Sequence, residues 1–232
     1  IGFSSTRVMA TCAVIGQGVG TAAAQAIESD RLPKDLASDT ETITSIQQTL
    51  LRDDAFLVDV TNEDPRDLAR SAFVSASSER SEGMAVNILT GQTRAVHGEG
   101  GVPADRTTPG SHRWMSQTLP ASLEMRWPTP VAISEVHLVF DTGMHRPLTL
   151  SHSDAFAARM VWGQPQPETV RDYTIEGEIE GKWVMFCERK GNYQRQVRHT
   201  VNQPGEITAL RVTITATNGI DHAKICEVRA YA

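Results

Sequence analysis

From residue 122 to residue 140 the chain alternates between apolar and polar positions. Leu123, Met125 and Trp127 alternate with Ser122, Glu124 and Arg126, and Val136, Leu138 and Phe140 alternate with Glu135 and His137. A period of two gives one buried and one wet face, so the stretch predicts two strands of a half-exposed antiparallel sheet. Pro128 and Pro130 lie between the two runs and are expected to interrupt the strand. The pattern recurs: residues 170–177 predict a strand, and residues 181–187 its hairpin partner. Leu210, Val212, Ile214 and Ala216 alternate with Arg211, Thr213 and Thr215. Thr217-Asn218-Gly219 is a turn, and residues 223–232 a closing strand with Cys226, Val228 and Ala230 on one face. Earlier, residues 73–79 predict a short strand and turn, and residues 85–89 and 94–96 weak strands or loops. Residues 98–101 and 105–110 read as loop, and residues 151–167 as an inserted loop anchored by Met160 and Trp162. The fold class is mainly β, an antiparallel β-sandwich.

The N-terminal quarter lacks this alternation. Arg7 and Glu28 bracket an uncharged run from Val8 to Ile27. Its length suits a transmembrane helix, but its Ala, Gly, Thr and Gln content does not. Ala24-Gln25-Ala26 has the small-x-small form of a signal-peptide cleavage site. The third reading is a buried glycine-rich helix, capped by Thr11, in which Gly16, Gly18 and Gly20 admit another backbone or a cofactor. Pro33-Lys34-Asp35 is expected to break that helix. Ile43, Ile46, Leu50 and Leu51 then fall at helical spacing, so residues 40–51 predict a second helix, capped by Asp39 or Thr40. The polar, proline-containing run 62–69 is the natural boundary. It divides the chain into a two-helix segment, 1–61, and a sandwich, 62–232.

Composition narrows the function classes. With 40% hydrophobic and 22% charged residues, the chain is a folded protein rather than a disordered one. A net charge of −6 argues against a nucleic-acid partner, which needs a concentrated basic face. Cys12, Cys187 and Cys226 show no metal or disulfide spacing, and the seven His are scattered, so no metal site is expected. No nucleophile elbow, H-E-x-x-H or P-loop is present, and no catalytic residue is assigned. The turn at Asp141 reads as local hydrogen bonding rather than a calcium loop. The richest polar-aromatic cluster is 191–199, with Tyr193, Arg195 and His199. A ring covers the C–H face of a sugar while Arg and Asn reach its hydroxyls, so the cluster is a candidate carbohydrate site. A solvated loop, or a surface that docks another domain, fits the same residues.

Two family resemblances sharpen the expectations. The run from Arg7 to Ala24 resembles the closing segment of FAD-dependent oxidoreductases of the glutathione-reductase-like class. The resemblance implies that Met9, Ala10, Thr11 and Cys12 face the flavin ring, and that Gly16 and Gly20 serve helix packing. The G-x-G-x-x-G turn that holds the ADP half of FAD is missing here. The expectation is therefore that FAD belongs to a parent protein and that this chain alone binds none. Residues 70–232 resemble discoidin, or coagulation factor 5/8 type C, domains, which are jelly-roll sandwiches of galactose-binding-like fold. The resemblance rests on the Trp114-Met115-Ser116 phrase, on Tyr173-Thr174-Ile175 with Gly181-Lys182-Trp183, and on the terminal run from Ile225 to Tyr231. It implies that Trp114 opens the core just after a ligand-side loop, which adds His112 and Arg113 to the candidate set. The chain opens on Ile1-Gly2-Phe3 and reads as the C-terminal portion of a longer oxidoreductase. Its expected partners are a carbohydrate or small-molecule ligand and the rest of the flavin domain or another chain, with no nucleic acid and no membrane span. The rival readings are a chain that completes an active flavoenzyme site and a purely structural domain.

Overall fold

The computed structural model describes residues 9–94, 112–144, 161, 163–202 and 205–232, with the side chain of Ala10 excepted. The loops expected at 98–101 and 105–110, the end of the 94–96 segment, the turn beyond Met144, and the anchors Met160 and Trp162 lie outside the described residues. The chain forms two compact units, residues 1–64 and 65–232.

The first unit is helical: α1 spans Met9–Glu28, α2 Pro33–Leu36 and α3 Thr40–Arg52. Thr11 lies inside α1, not at its cap. Pro33 does not merely break a helix; it starts the one-turn α2, because a proline at the first helical position gives up no hydrogen bond. Asp39 caps α3, its Oδ1 accepting from Glu41 N–H (3.1 Å) and Thr42 N–H (3.3 Å). Its Oδ2 accepts from Arg31 at 2.7 Å, and this guanidinium holds the carboxyl down at about 2. Ile46, Leu50 and Leu51 of α3 are buried. The glycine-rich α1 is not buried: Met9, Val14, Ile15, Val19 and Ile27 are exposed, and a Cβ added at Gly16, Gly18 or Gly20 would meet nothing.

The second unit is an antiparallel β-sandwich. Its strands are β1 (Phe73–Ala76), β2 (Trp114–Met115), β3 (Ala121–Ala132), β4 (Glu135–Phe140), β5 (Val170–Ile179), β6 (Lys182–Arg189), β7 (Gln196–Thr200), β8 (Glu206–Thr217) and β9 (Lys224–Tyr231). One sheet has the order β1-β3-β8-β5-β6 and the other β2-β9-β4-β7. Between them lie Leu123, Met125, Tyr173, Ile175, Val212 and Ile214 from the first sheet and Trp114, Leu138, Phe140 and Val228 from the second. The tight β5–β6 connection has Glu180 and Gly181 both at positive φ (50° and 75°), as a two-residue hairpin turn demands.

The structure corrects four expectations. The two alternating runs at 122–140 do not share a sheet: β3 sits in the five-stranded layer and β4 in the four-stranded one. Pro128 and Pro130 do not end β3. The strand runs on through them as an irregularity between the pairs Arg126↔Ala209 and Val131↔Ile207, where no ladder N–H is required. Residues Ala85–Leu89 form a 3-10 helix, where a weak strand or loop was expected. The face of β4 and β9 that turns away from the core is buried as well, so these strands are not half-exposed. Register puts His137 beside Arg229 and Glu135 beside Tyr231. Two charge contacts lie there: Arg229 pairs with Glu227 at 2.7 Å, and His137 Nε2 lies 3.0 Å from Glu135.

Candidate functional site

One end of the sandwich gathers most of the chemistry. β4 delivers Asp141 there, β2 is preceded by His112 and Arg113, β9 starts with Lys224, and the loop before β7 carries Tyr193 and Arg195. Arg113 is buried between three partners. Its Nη1 donates to His112 Nε2 at 2.8 Å and lies 3.5 Å from Asp141 Oδ2, and its Nε points at Met115 Sδ (3.2 Å). Since a guanidinium only donates, His112 Nε2 must be the acceptor and the ring's proton sits on Nδ1. Burial, then the adjacent Arg113, pushes the His112 pKa down to about 4, so the ring is neutral at pH 7. Asp141 Oδ1 accepts from Gly143 N–H at 2.7 Å, which fixes the turn after β4.

Arg195 braces the same end. Its Nη1 donates to Phe140 O (2.9 Å) and its Nη2 to Thr93 O (2.8 Å), while Phe140 N–H donates to Arg195 O (2.7 Å). The loop that carries it is locked by Asn192, which is fully buried. Asn192 Nδ2 donates to Val170 O and Gln194 O, and Asn192 O accepts from Asn218 Nδ2. Asp172 Oδ1 takes Gly191 N–H at the loop's start. With its neighbours so fixed, Tyr193 stands 64% exposed on a rigid loop, which is how a binding ring is presented at low entropy cost.

His199 is elsewhere. It lies four residues down β7, where the open edges of the two sheets meet. There its Nε2 is 2.8 Å from Tyr173 Oη and its Nδ1 is 3.3 Å from Cys187 Sγ. Burial holds the imidazole down at about 4 and pushes both the Cys187 thiol and the Tyr173 phenol up. A neutral thiol, imidazole and phenol in a chain form a polar staple between sheets and hold no thiolate nucleophile. Of the five predicted ligand residues, His112, Arg113, Tyr193 and Arg195 share one end, and His199 is separated from them.

Sequence reasoning overlooked Lys224, His222 and Glu168 at this end. His222 lies in the turn that opens β9 and Lys224 is the strand's first residue, so an alternating pattern is silent on the one and marks the other only as a strand position. Trp114 is wholly buried, its Nε1 donating to Ser78 O at 3.1 Å, so it is a core residue. Among the described residues no group of His, Cys, Asp and Glu could hold a metal ion, and no helix is long and apolar enough to cross a membrane.

Residues 1–50 match the family described as FAD dependent oxidoreductase. No curated protein matches the chain. Solved structures similar to it include the family 32 carbohydrate-binding module of C. perfringens NanJ, in complex with galactose. That module is 15% identical with a TM-score of 0.47, over 71% of this chain and 96% of that one. The family 32 carbohydrate-binding module of Streptococcus pneumoniae EndoD is 17% identical with a TM-score of 0.49, over 71% and 98%. A chitosan-binding module from a chitosanase/glucanase of Paenibacillus sp. IK-5 is 14% identical with a TM-score of 0.48, over 72% and 98%. The chain thus joins a segment matching an FAD dependent oxidoreductase family to a mainly β, antiparallel sandwich.

In the segment that matches, Met9 and Cys12 are exposed in the first described turn of α1 and Thr11 is half-buried. With no G-x-G-x-x-G turn in the sequence, the pyrophosphate of FAD finds no backbone cradle. These residues offer one exposed helical turn and do not by themselves fit the cofactor.

Proposed function

We propose that this chain is the C-terminal portion of an FAD-dependent oxidoreductase and that its β-sandwich binds carbohydrate. The binding end is the one that holds Tyr193, Arg195, His112 and Arg113. The observation that carries the reading is the pairing of an exposed Tyr193 ring with a loop made rigid by Asn192 and Arg195. Tyr193 covers the C–H face of a sugar ring, and the polar rim beside it meets the hydroxyls. His112, Arg113 and Arg195 act from behind, holding the rim in one geometry. His199 takes no part in this version of the site.

Calorimetric titration of the whole chain against a panel of oligosaccharides tests it. We expect binding that Tyr193→Ala weakens about tenfold, the size of one lost aromatic contact. Failure of every sugar to bind the unaltered chain would overturn the reading.

The match over residues 1–50 and the exposed apolar residues of α1 favour a second role, docking onto the remainder of a flavin domain, with Met9, Ala10, Thr11 and Cys12 toward the flavin. A visible absorption spectrum of the chain, alone and after mixing with a partner flavoprotein fragment, is its test. The chain alone should be colourless, and failure of the mixture to form a complex would reject docking.

A further inference from the structure

The end of the sandwich assigned to carbohydrate holds a cation, Lys224, that feels the fields of Asp141 and Glu168 but forms an ion pair with no carboxylate among the described residues. Lys224 is only 9% exposed, yet its ammonium makes no hydrogen bond and no ion pair among the described residues. Its stem is buried, but its nitrogen is not among the buried unpartnered atoms, so the ammonium tip reaches solvent, where a ligand can meet it. The nearby acids are already engaged. Asp141 is shared between Arg113 and Gly143 N–H, and Asp221 binds the His222 ring at 2.7 Å with Arg80 4.0 Å away. Glu168 is buried and has a partner of its own.

The groups in electrostatic reach of His112, His222 and Lys224 comprise Arg80, Arg113, Arg195 and Lys224 against Asp141, Glu168 and Asp221, four positive and three negative. Among the described residues one positive charge is left over. Beside it, His222 Nε2 is buried and has no hydrogen-bond partner among the described residues. Asp221 requires a donor, so it takes the proton on Nδ1 and leaves Nε2 as a lone pair. An ammonium and a ring nitrogen that lack partners among the described residues, and that lie within electrostatic reach of each other, are the complement of an anion that carries a hydroxyl.

We infer that the ligand of this end is an acidic sugar, a uronate or a sulfated hexose, whose anionic group pairs with Lys224. The inference rests on the carbohydrate reading above. Its test is calorimetric titration of the full chain with three oligosaccharides of the same linkage: neutral, uronate and sulfated. At least one charged form should bind about tenfold tighter than the neutral one, the effect of one charge-assisted hydrogen bond. That preference should shrink as salt is added. The uronate and sulfate arms identify which anion is read. Lys224→Met should bring the charged ligand down to the neutral level and leave neutral binding unchanged. Retention of the charged preference by a folded Lys224→Met would overturn the role of Lys224. Should that variant not fold, the comparison among the three ligands and its salt dependence on the unaltered chain still decides. Neutral binding equal to or tighter than charged binding overturns the acidic ligand and leaves the carbohydrate reading in place, whereas no binding by any of the three removes both.

Discussion

An imidazole that loses water without gaining a carboxylate becomes reluctant to take a proton, and two rings of this protein are in that position. His112 is packed under Arg113, and His199 is packed between Tyr173 and Cys187. Both fall from an ordinary 6.5 to about 4. The sign follows from linkage: between those values the unfolded chain binds protons that the folded chain refuses. Stability from these rings is complete above about pH 6.5, is lost as pH falls toward about 4, and changes no further below that. Thermal melts taken at steps through this window should show a falling midpoint, with a shallower fall for His199→Gln. A flat profile would contradict the assignment. The carboxylate Asp39 acts lower, near 2, so its loss is separable from theirs. At this scale the sequence was half legible. It marked His112, Arg113, Tyr193, Arg195 and His199 as chemistry-bearing, but it could not tell that His199 points into the seam between sheets. Position on a strand gives the face, not the depth.

Alternation announced the elements themselves: β3, β5, β6, β8 and β9 are each visible as period-two runs or a hairpin. Their partners were not visible. A period of two assigns faces but is silent on which strand lies alongside, so β3 and β4 looked like neighbours when they belong to different sheets. Nor did Glu227, Arg229 and His137 look buried, because a polar side chain in an alternating run reads as the wet face of its strand. Close packing between elements was equally hidden. Gly177 of β5 lies under the ring of Phe186, and a Cβ there would overlap that ring and approach Ile207 Cγ2 at 3.0 Å. Overfilling a packed core costs roughly 1–3 kcal/mol. Gly177→Ala should therefore lower stability by about that much in urea unfolding, and Phe186→Leu in the same chain should return part of it. An unchanged midpoint for Gly177→Ala would show that the ring moves aside freely.

For the molecule as a whole, the division at Asp64 and Pro65 is the domain boundary we adopt; it falls inside the polar run 62–69, three residues after the 61/62 boundary read from the sequence. Within the sandwich the last two strands are the interior members of their sheets: β8 lies between β3 and β5, and β9 between β2 and β4. Deleting Lys224–Tyr231 removes the middle of a layer and the partner of both β2 and β4. Such a variant should show no cooperative melt by circular dichroism; a sharp transition would mean that the five-stranded layer suffices alone.

The placement of β8 and β9 also has a consequence in time. A ribosome emits this chain from its amino end, so β3 and β4 emerge long before the strands that complete them. Until β8 and β9 have followed, their apolar faces must wait uncovered, in the care of whatever chaperones the cell supplies. The sandwich is built like an arch whose keystones come after the stones they hold, and a chain stopped ahead of β9 loses the entire span.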